Sequence, residues 1–211
     1  MSALPRYDAY QDTPRTLTGT RGTAGGQLAG ETGSGNAAGW SSNRNAALMG
    51  AAGERRTANL LDEYASRALV LHDLKIPLKG VHANVDHAVV SGNRILLVDS
   101  KVWASGTYWS FRGRHMMNTK VIENPLGRSM VLARDGWAAL AARHGGTLVE
   151  PATVVWPARS GSAVSVSRLD SPAGSVVAGT DLRGVVEKFL TGPAEYTLAT
   201  AAISQLAHSG K

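Results

Sequence analysis

Two aspartates and one lysine have the side-chain types and the spacing that could assemble a reactive site. Asp86 stands near the start of one short run of β-branched and apolar residues, and Asp99 directly follows the next such run. The turn composition between the runs, Ser91-Gly92-Asn93, predicts an antiparallel hairpin that brings both aspartates to the same edge. Lys101 lies two residues beyond Asp99, and because side chains alternate along a strand, both point to one face.

The chemistry that these side chains could support is metal-assisted. Carboxylates on neighbouring strands can hold Mg²⁺ or Mn²⁺, which prefer oxygen ligands and retain water. Such an ion neutralises negative charge and lowers the pKa of a bound water molecule. Lys101 could orient or activate that water, or stabilise negative charge in a transition state. The plainer alternative is that Asp86 and Asp99 are strand-end residues paired with a nearby lysine.

A helix predicted from about Ser42 or Asn43 to Ser66 adds a third carboxylate. Small and apolar residues follow its core-facing stripe at three- and four-residue spacing: Ala47, Ala51, Ala58, Leu61 and Ala65. Glu54 lies on the same stripe, where a lone buried carboxylate is costly. Glu54 could therefore bind a second metal or reach the first through water; beside Arg55 and Arg56 it could equally be a surface residue.

The remaining periodicity predicts an α/β fold with a mixed β-sheet flanked by helices. After the helix it predicts a strand over 68–73, the hairpin, a third strand, a helix from Asn124-Pro125 to about His144, a strand over 147–156, a strand over 163–169 paired with it, and helices near 182–190 and 196–207. Three regions follow from composition: a flexible Gly/Ser/Thr-rich tail over 1–42, a core over 43–157, and an extension over 158–211 that packs on the core.

Composition narrows the classes of protein. The 211 residues contain no cysteine, which excludes disulfides and thiolate chemistry. No apolar run approaches the roughly 18 residues of a membrane span, and no secretory signal is apparent, so we expect a soluble, cytoplasmic protein without a membrane partner. The net charge is +6, and residues 53–150 hold 13 basic against 9 acidic residues. This excess suits a polyanionic partner, although many proteins that bind none share it.

The segment after the hairpin is the best candidate for a nucleic-acid surface. No acidic residue occurs between Lys101 and Lys120, while Arg112, Arg114 and Lys120 alternate loosely with aromatic residues that include Trp103. Cations would contact phosphates and exposed aromatic rings could stack on unpaired bases. The alternative is that the aromatic side chains fill the core beneath the sheet.

Several of these segments, taken in order, resemble one family. They are Gly53-Glu54 in a helix, Leu71 to Leu74, Ala83 to His87, Val98 to Trp103, and Asn124-Pro125. Together, over about residues 50–145, they are similar to the nuclease-related domain, NERD, of the PD-(D/E)xK or restriction-endonuclease-like superfamily. Two positions depart from that pattern: Val85 occupies the superfamily's proline position, and Arg128 stands where a glutamine is expected.

The resemblance implies a restriction-endonuclease-like core and a magnesium- or manganese-dependent nuclease site. In this site Glu54, Asp86, Asp99 and Lys101 are catalytic, and Ser100 supplies a backbone oxygen to the metal. DNA is the expected substrate. A non-cleaving nucleic-acid-binding module, or a partner-recruiting part of a DNA-processing system, is the alternative. His87 should point away from Asp86 by strand alternation and have a packing or hydrogen-bonding role.

Overall fold

The computed structural model describes residues 16–24, 37–123 and 125–207, with the backbone alone for helix residues 37–46. The elements of this part of the chain are β1 (Thr16–Leu17), β2 (Gly19–Arg21), α1 (Ala37–Asp62), β3 (Leu69–Lys75), β4 (Asn84–Ser91), β5 (Arg94–Trp103), β6 (Gly106–Phe111), β7 (Arg114–Met117), β8 (Lys120–Ile122), α2 (Ser129–Arg143), β9 (Thr147–Leu148), β10 (Ala152–Pro157), β11 (Val164–Arg168), β12 (Ser175–Ala178), a short 3₁₀ helix (Gly179–Asp181), α3 (Leu182–Phe189), β13 (Ala194–Glu195) and α4 (Tyr196–Ile203).

The predicted hairpin forms the centre of a seven-stranded mixed sheet. The strand order is β12-β10-β5-β4-β3-β2, with β9 also pairing with β5. β4 is antiparallel to both β3 and β5, whereas β10 runs parallel to β5 and to β12. Gly92 turns the hairpin with φ of +55°, a conformation that glycine adopts without steric cost.

Helices cover both faces of this sheet because its strands are apolar on both sides. On one face, Leu61 of α1 and Val186 of α3 pack against Val89 and Val98. On the other face, residues of α2 and α4 that include the fully buried Trp137 pack against Leu97 and its neighbours. The predicted α/β fold, a mixed sheet flanked by helices as in a restriction-endonuclease-like core, is confirmed.

A second, four-stranded sheet replaces the single strand that we predicted after the hairpin. Its order is β11-β6-β7-β8. The prediction that residues 163–169 pair with the strand over 147–156 is wrong, because β11 pairs in parallel with β6. Strand β10 is unavailable for that pairing, since β5 and β12 occupy both of its edges.

Element boundaries differ from the sequence-based ones at several places. Helix α1 begins at Ala37, and α2 begins at Ser129 rather than at Asn124-Pro125, where Asn124 lies outside the described residues. The strand predicted over 147–156 is two strands, separated at 149–151. Proline at position 151 cannot donate to a strand ladder.

Part of the segment predicted to be a tail is ordered in β-structure. β1 pairs with β13 and β2 with β3; residues 1–15 and 25–36 of that segment lie outside the described residues. The segment after residue 157 supplies β12 to the central sheet and helices to both of its faces. In the described part of the chain, no helix is long and apolar enough to cross a membrane.

Helix α1 approaches strand β5 closely at Gly53. A Cβ atom placed on this buried glycine would lie 2.5 Å from Val102 Cγ2, whereas one placed on Gly50 of the same helix would meet nothing within 4 Å. The side-chain-free position at residue 53 therefore fixes the distance between the helix and the strand.

We expect Gly53→Ala to destabilise the protein and Gly50→Ala to stabilise it. Both substitutions improve helix propensity by about 0.5–1 kcal/mol. At position 53 the overpacking against Val102 costs about 1–3 kcal/mol and outweighs this gain. Denaturant unfolding of the two variants measures the difference; an equal gain at both positions would show that α1 does not press on β5 at this point.

Candidate active site

The hairpin places Asp86 and Asp99 on neighbouring strands. The antiparallel register pairs His87 with Val98, and its continuation sets Asp86 opposite Asp99. The Ser100 backbone N–H donates a hydrogen bond to Asp86 Oδ2 at 2.7 Å. This bond crosses from the backbone of β5 to a side chain of β4, so it orients the Asp86 carboxylate toward the strand that carries Asp99.

Lys101 joins Asp99 on the same face of β5, as the two-residue strand period requires. Lys101 Nζ lies 2.7 Å from Asp99 Oδ2, and the two side chains are 31% and 10% exposed, respectively. A contact of this length is a charge-assisted hydrogen bond. The aspartate is therefore largely shielded from water, while the ammonium remains accessible from one side.

Glu54 of α1 completes a cluster of like charges. The pKa of Asp86 is raised well above its usual value, first by burial and then by the negative charges of Asp99 and Glu54, which outweigh the Ser100 N–H and Lys101. Burial alone would lower the pKa of Lys101, but Asp99, Asp86 and Glu54 raise it overall. The structure thus brings the four sequence-predicted residues within electrostatic reach of one another.

The carboxylates suit a hard divalent cation. Mutual repulsion between Asp86 and Asp99 is what such a cation relieves, and Mg²⁺ commonly takes one or two protein carboxylates and completes its shell with water. Among the residues that the structure describes, no three or more His, Asp and Glu side chains are arranged as a ready-made metal site. Asp86 and Asp99 could hold such a cation, and Glu54 could bind a second ion or reach the first through water; the Ser100 backbone oxygen stays a predicted ligand.

The side chain of Ser100 points the other way, into a buried chain of polar groups. Ser100 Oγ donates to Thr57 Oγ1 of α1 at 2.7 Å and lies 3.3 Å from His87 Nε2. His87 Nδ1 lies 2.8 Å from His72 Nδ1, and His72 Nε2 lies 3.1 Å from Asp62 Oδ1. The expected hydrogen-bonding role of His87 is confirmed, and its side chain points away from Asp86.

This polar chain ties helix α1 to the strands of the site. Trp156 Nε1 also donates to Thr57 Oγ1, at 2.8 Å, so Thr57 links α1 to β5 and β10. Because a carboxylate only accepts hydrogen bonds, His72 donates from Nε2 to Asp62, and the two facing Nδ1 atoms share one proton. The four ring nitrogens of the two histidines each lie within hydrogen-bond distance of a polar atom, and this chain of contacts holds α1 against the strands of the site.

The predicted nucleic-acid-binding residues differ in their exposure to solvent. Arg112, at the turn between β6 and β7, and the neighbouring Arg114 and Lys120 are all exposed on the second sheet. The ring of Trp103 is half-buried, and its centroid lies 4.6 Å from that of Tyr108 in the core under that sheet. Arg114 pairs with Phe111 and lies on the outward side of the sheet, whereas Lys120 pairs with Met117 and lies on the side of Tyr108, so the cations do not all share one face.

Sequence reasoning missed Thr57 and Arg168. Thr57 lies three residues after Glu54 and thus on the same helical face, a spacing that could have indicated it. Arg168 joins the second sheet only because β11 pairs with β6. Nothing in the local sequence of Arg168 indicates that pairing.

The fold and the side-chain cluster together indicate a class of protein. A mixed α/β sheet with two acidic residues and a lysine on its adjacent central strands is typical of restriction-endonuclease-like proteins. The family model described as nuclease-related domain, NERD, matches residues 49–130 of the chain. Over these residues, which are about two fifths of the chain, the protein is similar to the nuclease-related domain, and a PD-(D/E)xK superfamily assignment is consistent with this match. No curated protein and no solved structure matches the chain.

Removing the charge of Asp86 should stabilise the metal-free protein. Asp86→Asn keeps an oxygen to accept from the Ser100 N–H, but it removes a carboxylate whose pKa is raised by burial and by Asp99. A raised carboxyl pKa makes the wild type lose stability as the pH rises above about 3.9. At about pH 7.5 we therefore expect a higher Tm for the variant, by about 2–4 °C for each kcal/mol gained in the free energy of unfolding. Below the pH at which the carboxyl group of the unfolded chain is protonated, we expect no difference in Tm.

Thermal unfolding in a chelator measures this shift. Asp135→Asn, which removes an exposed carboxylate paired with Arg134 on α2, is the matched control and should bring no gain. A lower Tm for Asp86→Asn at neutral pH would contradict the repulsion between the carboxylates.

The buried histidine pair should make stability depend on pH in the opposite sense. Burial, followed by the neighbouring His72, lowers the pKa of His87 well below its usual value. The unfolded chain binds a proton on this histidine below about pH 6.5, whereas the native state does not. The free energy of unfolding therefore has its full value above that pH and decreases as the pH falls.

We expect His87→Leu to cost about 2–4 kcal/mol at about pH 7.5, because Ser100 and His72 each lose a buried partner. The difference from the wild type should narrow toward about pH 5.5 as the wild type loses stability. Urea unfolding at both pH values measures it. His82→Leu, at an exposed histidine, should change little, and a His87→Leu effect independent of pH would contradict the neutral buried state.

Proposed function

We propose that the chain is a metal-dependent nuclease that hydrolyses DNA phosphodiester bonds. The observation that carries this proposal is the convergence of Asp86, Asp99 and Lys101 on one face of the central hairpin, within electrostatic reach of Glu54. The match to the nuclease-related domain over residues 49–130 spans all four residues and supports the same reaction class.

The side chains would have distinct roles. Asp86 and Asp99 would hold Mg²⁺ or Mn²⁺, which supplies a water of lowered pKa and neutralises charge on the scissile phosphate. The raised pKa of Lys101 keeps its ammonium charged at neutral pH. This favours Lys101 as a donor that orients the phosphate and stabilises negative charge in the transition state, rather than as a base that removes a proton from water.

The position of Lys101 is set before substrate arrives. Its contact with Asp99 holds the ammonium beside the carboxylate that would bind the metal. Such preorganisation is what makes electrostatic stabilisation effective, because the enzyme does not have to reorient its charges during the reaction.

A non-cleaving nucleic-acid-binding module is the second candidate. The exposed cations of the second sheet favour it, since phosphate contacts alone give salt-dependent binding without chemistry. Binding that falls with salt, together with no metal-dependent cleavage of any substrate, would support this candidate over the nuclease. Recruitment of a protein partner and a cytoplasmic location stay expectations from the sequence.

Cleavage assays on single-stranded, linear duplex and circular DNA, and on RNA, should show activity with Mg²⁺ or Mn²⁺ and none in a chelator. We expect Asp99→Asn and Lys101→Met each to lower the rate by at least about 100-fold, a loss typical of removing a transition-state contact. Mg²⁺ should raise the Tm of the wild type and should not raise that of Asp86→Asn.

Two exposed residues give matched controls. Asp135→Asn on α2 and Lys188→Met on α3 remove the same charges far from the hairpin in sequence and should leave cleavage unchanged. Cleavage at the wild-type rate by Asp99→Asn or Lys101→Met would contradict the assignment of these residues to the active site.

A further inference from the structure

The second sheet, which follows the candidate active site along the chain, exposes aromatic and basic side chains on its outward face. We propose that this face, which we name the aromatic face, binds an unpaired nucleic-acid strand. Its members are Thr107, Trp109, Phe111, Arg114, Met116 and Arg168. The proposal rests on the proposed function, because it names the form of nucleic acid that the site receives.

Strand alternation separates the aromatic face from the core. Tyr108 and Val166 are buried in a small core between the two sheets, with Met117 and Ile122 packed against them. The intervening residues of β6 must then point outward, and Phe111 is 55% exposed. The neighbouring Trp109 ring lies 6.2 Å from the Phe111 ring, centroid to centroid, so two aromatic side chains follow one another along the same strand.

The charge of this sheet matches a phosphate backbone. Strands β6, β7, β8 and β11 contain no acidic residue. Arg114 and Arg168 are exposed on the aromatic face, and Arg112 extends from the turn with its guanidinium 5.2 Å from the centroid of the Phe111 ring. A base stacked on Phe111 would therefore have a cation within reach of its phosphate.

A cleft lies where β6 meets β11. It is lined by Thr107, Tyr108, Trp109, Ser165, Ser167 and Arg168, and its volume is about 440 Å³. The irregular register between Ser165 and Arg168 opens the ladder at this point. Sites for small ligands occupy about 300–1,000 Å³, so the cleft can hold one nucleotide, with hydroxyl donors and a guanidinium around it.

The second sheet, whose outward side is the aromatic face, follows the candidate active site along the chain and packs with its inner side against the central sheet. Strand β6 begins three residues after Trp103, the last residue of the strand that carries Asp99 and Lys101. Val155, which pairs with Lys101 in the central sheet, lies in the small core beneath the second sheet. A strand lying on the aromatic face could thus continue toward the carboxylates.

The observations favour an unpaired strand over a duplex. Bases in a duplex are paired and stacked on each other, so they offer no free ring surface to the exposed aromatic side chains of this face. Unpaired bases can stack on such rings whatever their sequence, and each stacking contact typically contributes enough to change affinity by about fivefold to a hundredfold.

Fluorescence anisotropy with labelled oligothymidylate, and with its duplex, tests the proposal on the full chain carrying Asp99→Asn in a chelator. We expect tighter binding of the single strand. Phe111→Ala should weaken single-strand binding by about fivefold to a hundredfold and hardly affect duplex binding. Arg168→Ala should lower affinity and reduce the salt slope by about one. Phe111→Trp should preserve binding, which separates loss of stacking from misfolding.

Tyr196→Ala and Arg143→Ala are the matched controls, since Tyr196 is a 38% exposed aromatic residue on α4 and Arg143 is exposed on α2. Equal effects of Phe111→Ala and Tyr196→Ala, or an equal loss on single strand and duplex, would overturn the proposal. Phe111-dependent binding without metal-dependent cleavage would refute only the nuclease. Cleavage by a Phe111→Ala protein of unchanged single-strand affinity would refute only the aromatic face.

Discussion

Two aspartates lie side by side on the central strands of the sheet, and contacts around them hold them there against their mutual repulsion. Antiparallel pairing of β4 with β5 sets Asp86 opposite Asp99, and the Ser100 N–H holds the Asp86 carboxylate in place. Like charges on adjacent strands repel each other, and burial increases the free-energy cost of keeping both carboxylates ionised. The pair therefore costs the fold stability, and the cation that we propose for this site would relieve the repulsion.

The opposite face of the same strands provides the rigidity that this arrangement requires. Thr57, Ser100, His87 and His72 form a continuous line of buried hydrogen bonds that ends on the partly exposed Asp62. Buried polar groups with satisfied partners permit one packing of helix against sheet and penalise others. Alternate residues of β5 therefore have separate tasks: Asp99 and Lys101 face the candidate site, and Ser100 anchors the strand to α1.

The second sheet also has one side that packs in a core and one side that is exposed. Its inner side contributes Tyr108 and Val166 to a small core with Val155. The outer side can then expose Phe111 and arginines without loss to the fold. Exposed aromatic and basic side chains on a sheet otherwise invite aggregation, and the charges limit that risk.

Turn composition and side-chain period are local properties, so the amino-acid sequence is enough to predict the hairpin, the common face of Asp99 and Lys101, the flanking helices and the α/β class. Long-range packing brings His72 to His87, Thr57 to Ser100 and β11 to β6. Those contacts connect residues far apart in the chain, and their partners depend on strand order and on which sheet edges remain open. The electrostatic reach of Glu54 to the hairpin also needed the packing distance that Gly53 permits.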